Sequence, residues 1–109
     1  MTLKRFAAVA LFASSLSTAA LADDAAEVWR AKCKGCHGDD GKAKTKVGEK
    51  EKIADFTAVK WQEQFADADI RRVIADGSEA NSKMKPFKEK LSAQEIDALV
   101  KYIRGMKGK

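Results

Sequence analysis

An all-α fold is predicted for this 109-residue chain by three observations. Apolar residues recur at helical spacing in three segments, and no run alternates with the two-residue period of a strand. The last segment also carries a full set of helix-start signals.

That last segment is the clearest. Ser92-Ala93-Gln94-Glu95 reads as a capping box, and Leu91 with Ile96 occupies the N′ and N4 positions of a hydrophobic staple. Ile96, Leu99, Val100 and Ile103 then follow the i, i+3, i+4, i+7 rule, with Tyr102 alongside, so a helix is expected from Ser92 to Met106. The first helix is expected from about Asp24 to His37. Asp23 and Asp24 stand at its amino end, where the macrodipole favours anions, and Val28 and Trp29 lead in helical steps to Cys33 and Cys36. A middle helix is expected to start at Asp67 as N-cap, with Ile70, Val73 and Ile74 on one face and Gly77 at its C′ position.

The segments between are less regular. Gly35, Gly38, Gly41 and Gly48 punctuate a lysine-rich stretch to about residue 52, a polar loop long enough to suggest that it wraps something. Ile53, Phe56, Val59, Trp61 and Phe65 follow without a period, which predicts one or two short helical turns but not their positions. A polar loop over 76–90 holds Ser82-Lys83-Met84-Lys85-Pro86-Phe87 and the only proline.

Residues 1–22 read as a cleaved secretory signal peptide. Lys4 and Arg5 form a basic start, an apolar run extends from Phe6 to Leu16, and Ala20-Leu21-Ala22 is a small-residue cleavage site. Ser14, Ser15 and Ser17 break the run, which is too short to span a bilayer. Residues 23–109 are then a single exported domain with no membrane insertion and a thin core, the kind of domain that needs a staple or a held cofactor. The formal charge of +5 falls to about +3 without the leader. No basic helix interleaved with aromatics is present, so a nucleic-acid partner is not expected.

Cys33-Lys34-Gly35-Cys36-His37 contains both cysteines and the only histidine. C-x-x-C-H is the pattern of c-type haem attachment: two thiols on one helical turn add to the porphyrin vinyls, and the next residue ligates iron. A structural zinc site needs four ligands where this chain offers three. A thioredoxin-like pair would sit near a βαβ pattern, and a disulfide across so short a loop would stabilise little. A haem held by His37 has a second axial position. No other histidine is available, Met1 leaves with the leader, and Met106 reads as a gap-filling residue at the end of the last helix. Met84, in a loop stiffened by Pro86, is the expected sixth ligand, and His/Met ligation raises the reduction potential.

The order of these features resembles the class I c-type cytochromes, over essentially the whole of residues 23–109: C-x-x-C-H at Cys33 to His37, a methionine loop at Met84 to Phe87, then the amphipathic helix Ser92 to Met106. The resemblance implies a cytochrome c fold, with three main helices and loops around one covalently bound haem c. It implies that Trp29 packs on the last helix near Leu99 and Tyr102, and that Trp61 lies where the family places a hydrogen bond to a haem propionate. Glu49 replaces the family's proline whose carbonyl accepts the ring N–H of the proximal histidine, and Lys85 interrupts the usual Met-Pro pair.

A low-spin iron with both axial sites filled passes electrons and does not readily take substrate. The expectation is therefore a monomeric, soluble periplasmic electron carrier and not an enzyme. Its redox partners would dock transiently, through Lys32, Lys34, Lys83, Lys85 and Lys88 near the haem edge. The alternatives are a small subunit of a periplasmic dehydrogenase, or a haem enzyme or gas sensor with a labile sixth ligand.

Overall fold

The computed structural model describes residues 24–109, and the leader expected over 1–22 lies outside the described residues. The first helix, α1, runs over 24–37. Its middle, Trp29–Cys33, winds as a π-helical turn in which the Lys34 N–H reaches the Trp29 carbonyl, and Lys34–His37 closes it as α-helix. Further helices follow at Lys46–Lys50 (α2), Val59–Gln64 (α3), Asp67–Asp76 (α4) and Ala93–Arg104 (α5). No strand occurs among the described residues, so the chain is all-α.

The sequence signals explain most of these boundaries. Ser92 Oγ accepts the Glu95 N–H at 3.1 Å while the Glu95 carboxylate accepts the Ser92 N–H at 3.0 Å, which is the expected capping box of α5. At α4 the start is shifted by one residue. Ala66 is the N-cap and Asp67 the first helical residue; Ala66 has no side chain to cap with, and the Asp69 carboxylate supplies only the return half of a capping box by accepting the Ala66 N–H at 2.9 Å. Val73 also departs from expectation. Ile70 and Ile74 are buried but Val73 is 37 % exposed, since three residues on from Ile70 it falls at the edge of the buried stripe. The helical turn left unplaced between Ile53 and Phe65 is α3, whereas α2 forms inside the lysine-rich stretch expected to be a loop, because Thr45 caps it.

The core joins α1, α4 and α5. Trp29 and Leu99 are each 1 % exposed, with Ile70, Ile74, Ile96 and Ile103 around them. Trp29 meets the Tyr102 ring at 5.5 Å between centroids, which is the predicted docking of the first helix on the last. Burying side chains of this size contributes on the order of 1.5–3 kcal/mol each. The Trp29 indole N–H is also satisfied, donating to the Gly38 carbonyl at 2.9 Å.

A polar knot fixes α3 against α5. Gln62, 5 % exposed, donates from Nε2 to the carbonyls of Phe56 (2.7 Å) and Ile103 (2.9 Å). Arg104 reaches back from α5 to the Gln62 carbonyl (2.7 Å), the Phe65 carbonyl (2.5 Å) and Asp67 Oδ1 (2.6 Å). One guanidinium thus ties the ends of α3 and α4 to the last helix.

Candidate functional site

The carboxyl end of α1 presents Cys33, Cys36 and His37 together. Cys33 is the last residue of the π-helical turn, Cys36 and His37 lie in the closing turn, and all three side chains are half-buried. Both cysteines are free thiols. Burial pushes the Cys33 thiol up to about 11; Lys32 opposes that rise and Cys36 adds to it. Burial acts in the opposite sense on His37 and lowers its pKa, so the imidazole is held neutral, the form that ligates metal.

The His37 ring is built into an aromatic group. Phe56 stacks on it at 4.8 Å between centroids, and Trp29 lies at 5.7 Å. Trp61 lies tilted against Phe56 at 4.3 Å and against Phe65 at 5.4 Å between centroids. The His37 Nδ1 atom is buried without a hydrogen-bond partner. The bond expected from this ring to the carbonyl at position 49 is therefore not made. Residues 46–50 form α2, and its carbonyls are spent along the chain: the Glu49 carbonyl takes the Lys52 N–H at 3.4 Å and the Gly48 carbonyl the Ile53 N–H at 2.9 Å.

Thr45 seats α2 beneath the cysteine turn. Its hydroxyl donates to the Cys36 carbonyl at 2.7 Å and accepts the Gly48 N–H at 2.8 Å, so one side chain caps α2 and binds the attachment turn. Gly48 is required by this approach. A Cβ there would lie 2.9 Å from the Cys36 carbonyl oxygen and would collide with the Ala43 carbonyl.

Met84 is half-buried in the loop after α4. Gly77, at φ 83°, lets the chain leave α4 closely enough for the Met84 carbonyl to accept the Ser78 N–H at 3.2 Å; a Cβ at Gly77 would lie 2.9 Å from that oxygen. The Met84 N–H donates to the Asn81 carbonyl at 3.1 Å, and beyond Pro86 the Phe87 N–H returns to the Ile74 carbonyl at 3.0 Å. Met106 lies elsewhere: 7 % exposed, it packs its sulfur against the Gly41 backbone in the core.

The residues present fit a thioether-bound haem. The two thiols are unpaired, burial favours the uncharged form of His37 and leaves its Nδ1 without a partner, and a half-buried thioether stands in the loop before the last helix. Among the described residues no three His, Cys, Asp or Glu side chains converge as a zinc site would require. Of the lysines expected to rim the site, Lys34 pairs with Asp39 (3.6 Å), Lys88 with Asp76 (3.5 Å) and Lys83 with Glu51. Lys32 and Lys85 make no ion pair among the described residues, which reduces the rim's free positive charge to those two. Thr45, Glu51, Phe56 and Asn81 were not singled out from sequence; of these only Thr45, a capping residue three before Gly48, left a local signal.

Residues 20–103 match the family model described as cytochrome C oxidase, cbb3-type, subunit III. Among solved structures the chain is similar to the KustC0563 c-type cytochrome, at 38% identity and a TM-score of 0.70, covering 77% of this chain and 98% of that one. A tyrosine-to-phenylalanine mutant of Kustc0563 is similar to the same degree, at 38% identity and a TM-score of 0.68, covering 77% of this chain and 99% of its own. No curated protein matches the sequence. With its family model spanning most of the sequence and a solved relative sharing its helical fold, the chain belongs to the c-type cytochromes, whose cofactor is covalently bound haem c and whose work is haem-based electron transfer.

Proposed function

We propose that this protein is a monomeric, soluble periplasmic electron carrier, its haem attached through Cys33 and Cys36 and ligated by His37 and Met84. The observation that carries the reading is the C-x-x-C-H turn at the end of a core helix, joined by hydrogen bonds through Thr45, α2, Glu51 and Asn81 to a methionine loop. Bound haem supplies a one-electron couple at its iron. The protein's part is positional. Trp29 and Phe56 fix the His37 ring, Thr45 holds the attachment turn, and Gly77 with Asn81 sets the Met84 backbone. With haem bound, the same groups would hold the ligand side chains in place in both oxidation states, which would keep the reorganisation on electron transfer small.

Export rests on the leader read over 1–22, and no helix among the described residues is long and apolar enough to cross a membrane. Partners are other redox proteins, met in weak encounters to which Lys32 and Lys85 contribute steering charge. The family description, an oxidase subunit, favours one second reading: a small cytochrome subunit of a larger redox complex. Co-purification at native expression level separates it from a free carrier. The carrier reading is tested by adding carbon monoxide to the ferrous protein at neutral pH. A closed sixth site leaves the spectrum unchanged over minutes, whereas rapid binding would show an open site and support a sensor or enzyme instead.

A further inference from the structure

The methionine loop is held from outside by a residue of the opposite loop. Glu51 follows α2 directly, and its N–H donates to the Val47 carbonyl at 2.8 Å, so its backbone belongs to the segment seated on the Cys36 turn. Its side chain is 18 % exposed and crosses to residues thirty or more positions on. Oε2 accepts from Asn81 Nδ2 at 2.9 Å, and Oε1 pairs with Lys83 Nζ. Asn81 is fully engaged: its Oδ1 accepts the Lys83 N–H at 2.9 Å, and its carbonyl accepts the Met84 N–H at 3.1 Å. The bonds therefore run without a break from the Cys36 carbonyl through Thr45, α2, Glu51 and Asn81 to the Met84 backbone.

Building on the proposed ligation by Met84, we propose that Glu51 is a positioning residue that clips the Met84 loop to the His37 side of the site and so sets how often the Met84 thioether leaves the iron. Charge-assisted hydrogen bonds to an ionised carboxylate are about twice as strong as neutral ones. Apart from this clip, the loop over 78–85 is held chiefly by its own backbone turns and by Gly77. Removing the carboxylate frees the loop at its outer end while leaving the core, Pro86 and the ligands themselves in place.

The test uses the intact holoprotein in its ferric form. Exogenous imidazole enters the sixth position only when Met84 has left, so at saturating imidazole the capture rate reads the opening rate of the loop. Glu51→Ala should raise that rate about tenfold, the effect of losing on the order of 1.4 kcal/mol, and Glu51→Gln, which keeps one acceptor for Asn81, should fall between. Glu49→Ala, two residues earlier at an exposed position of α2, should leave the rate unchanged. In the Glu51→Ala/Lys83→Gln double variant the rate should be no faster than in Glu51→Ala, because both changes cut one contact. Amide exchange at Met84 and Ser78 should speed up in parallel. Equal rates in wild type and Glu51→Ala, or equal increases in Glu51→Ala and Glu49→Ala, would overturn the proposal. A wild-type ferric protein lacking the near-infrared methionine band would overturn the ligation by Met84 instead, and amide exchange would then decide whether the clip exists.

Discussion

The Thr45 hydroxyl and the Cys36 carbonyl meet at 2.7 Å although nine residues separate them in the chain. The contact links the helix that carries Cys33, Cys36 and His37 to the loop that follows it, and the same hydroxyl caps α2. Because both bonds pass through one oxygen, Thr45→Ala removes a cap and strands a carbonyl at once. It should cost about 1–3 kcal/mol, measured by denaturant unfolding of the holoprotein. Thr45→Ser should restore most of the loss. A Thr45→Val variant as stable as wild type would show that the hydroxyl is dispensable.

Gln62 sets a second test, away from the ligands. Its amide satisfies two buried carbonyls on different elements and accepts from Arg104 at 3.0 Å. Gln62→Leu preserves volume but leaves the Phe56 carbonyl without a donor and cuts the Ile103 carbonyl back to its backbone partners, among them the Met106 N–H at 3.0 Å. The expected cost is about 1–2 kcal/mol, read from the urea midpoint at unchanged slope. The ferric spectrum should not change.

How far the sequence revealed this molecule depends on whether a signal is local. The α5 cap and stripe, the extent of α1 and the docking of Trp29 on Tyr102 are legible because the residues that make them lie within one helical turn or follow a fixed period. The C-x-x-C-H motif on which the proposed haem attachment rests is local in the same way. What was missed is made by pairs distant in the chain. Glu51 and Asn81 look like two ordinary surface polar residues until the fold puts them 2.9 Å apart, and Phe56 has no periodic neighbour to mark it as the partner of His37. The start of α4 lies one residue earlier than Asp67 suggests, with the Asp69 carboxylate accepting the Ala66 N–H at the helix entrance, a bond that a search for a capping side chain does not look for.

Asp55 gives a pH dependence with a definite sign. Its carboxylate accepts from the Thr57 hydroxyl at 2.6 Å and the Thr57 N–H at 2.8 Å, and these bonds hold it below the usual carboxylate range. Thr57 in turn accepts the Gly108 N–H at 2.8 Å and so anchors the carboxyl terminus. A folded-state pKa below the unfolded one means that the stabilisation is complete above the unfolded value, about 3.9, and fades as pH falls through the lower folded value. The stability difference between wild type and Asp55→Asn should therefore be constant from pH 7 down to about 4 and shrink below that. A difference that grew on acidification would reverse the assignment.

The most decisive measurement is the near-infrared spectrum of the purified ferric protein, taken for wild type, Met84→Ala and Met106→Ala. Sulfur from Met84 on a haem held by Cys33, Cys36 and His37 predicts the methionine charge-transfer band in wild type and in Met106→Ala, the latter less stable through its lost core packing, and no band in Met84→Ala. A band that survived Met84→Ala and vanished in Met106→Ala would contradict the ligand assignment, and a wild-type protein without covalently bound haem would contradict the whole reading of the site.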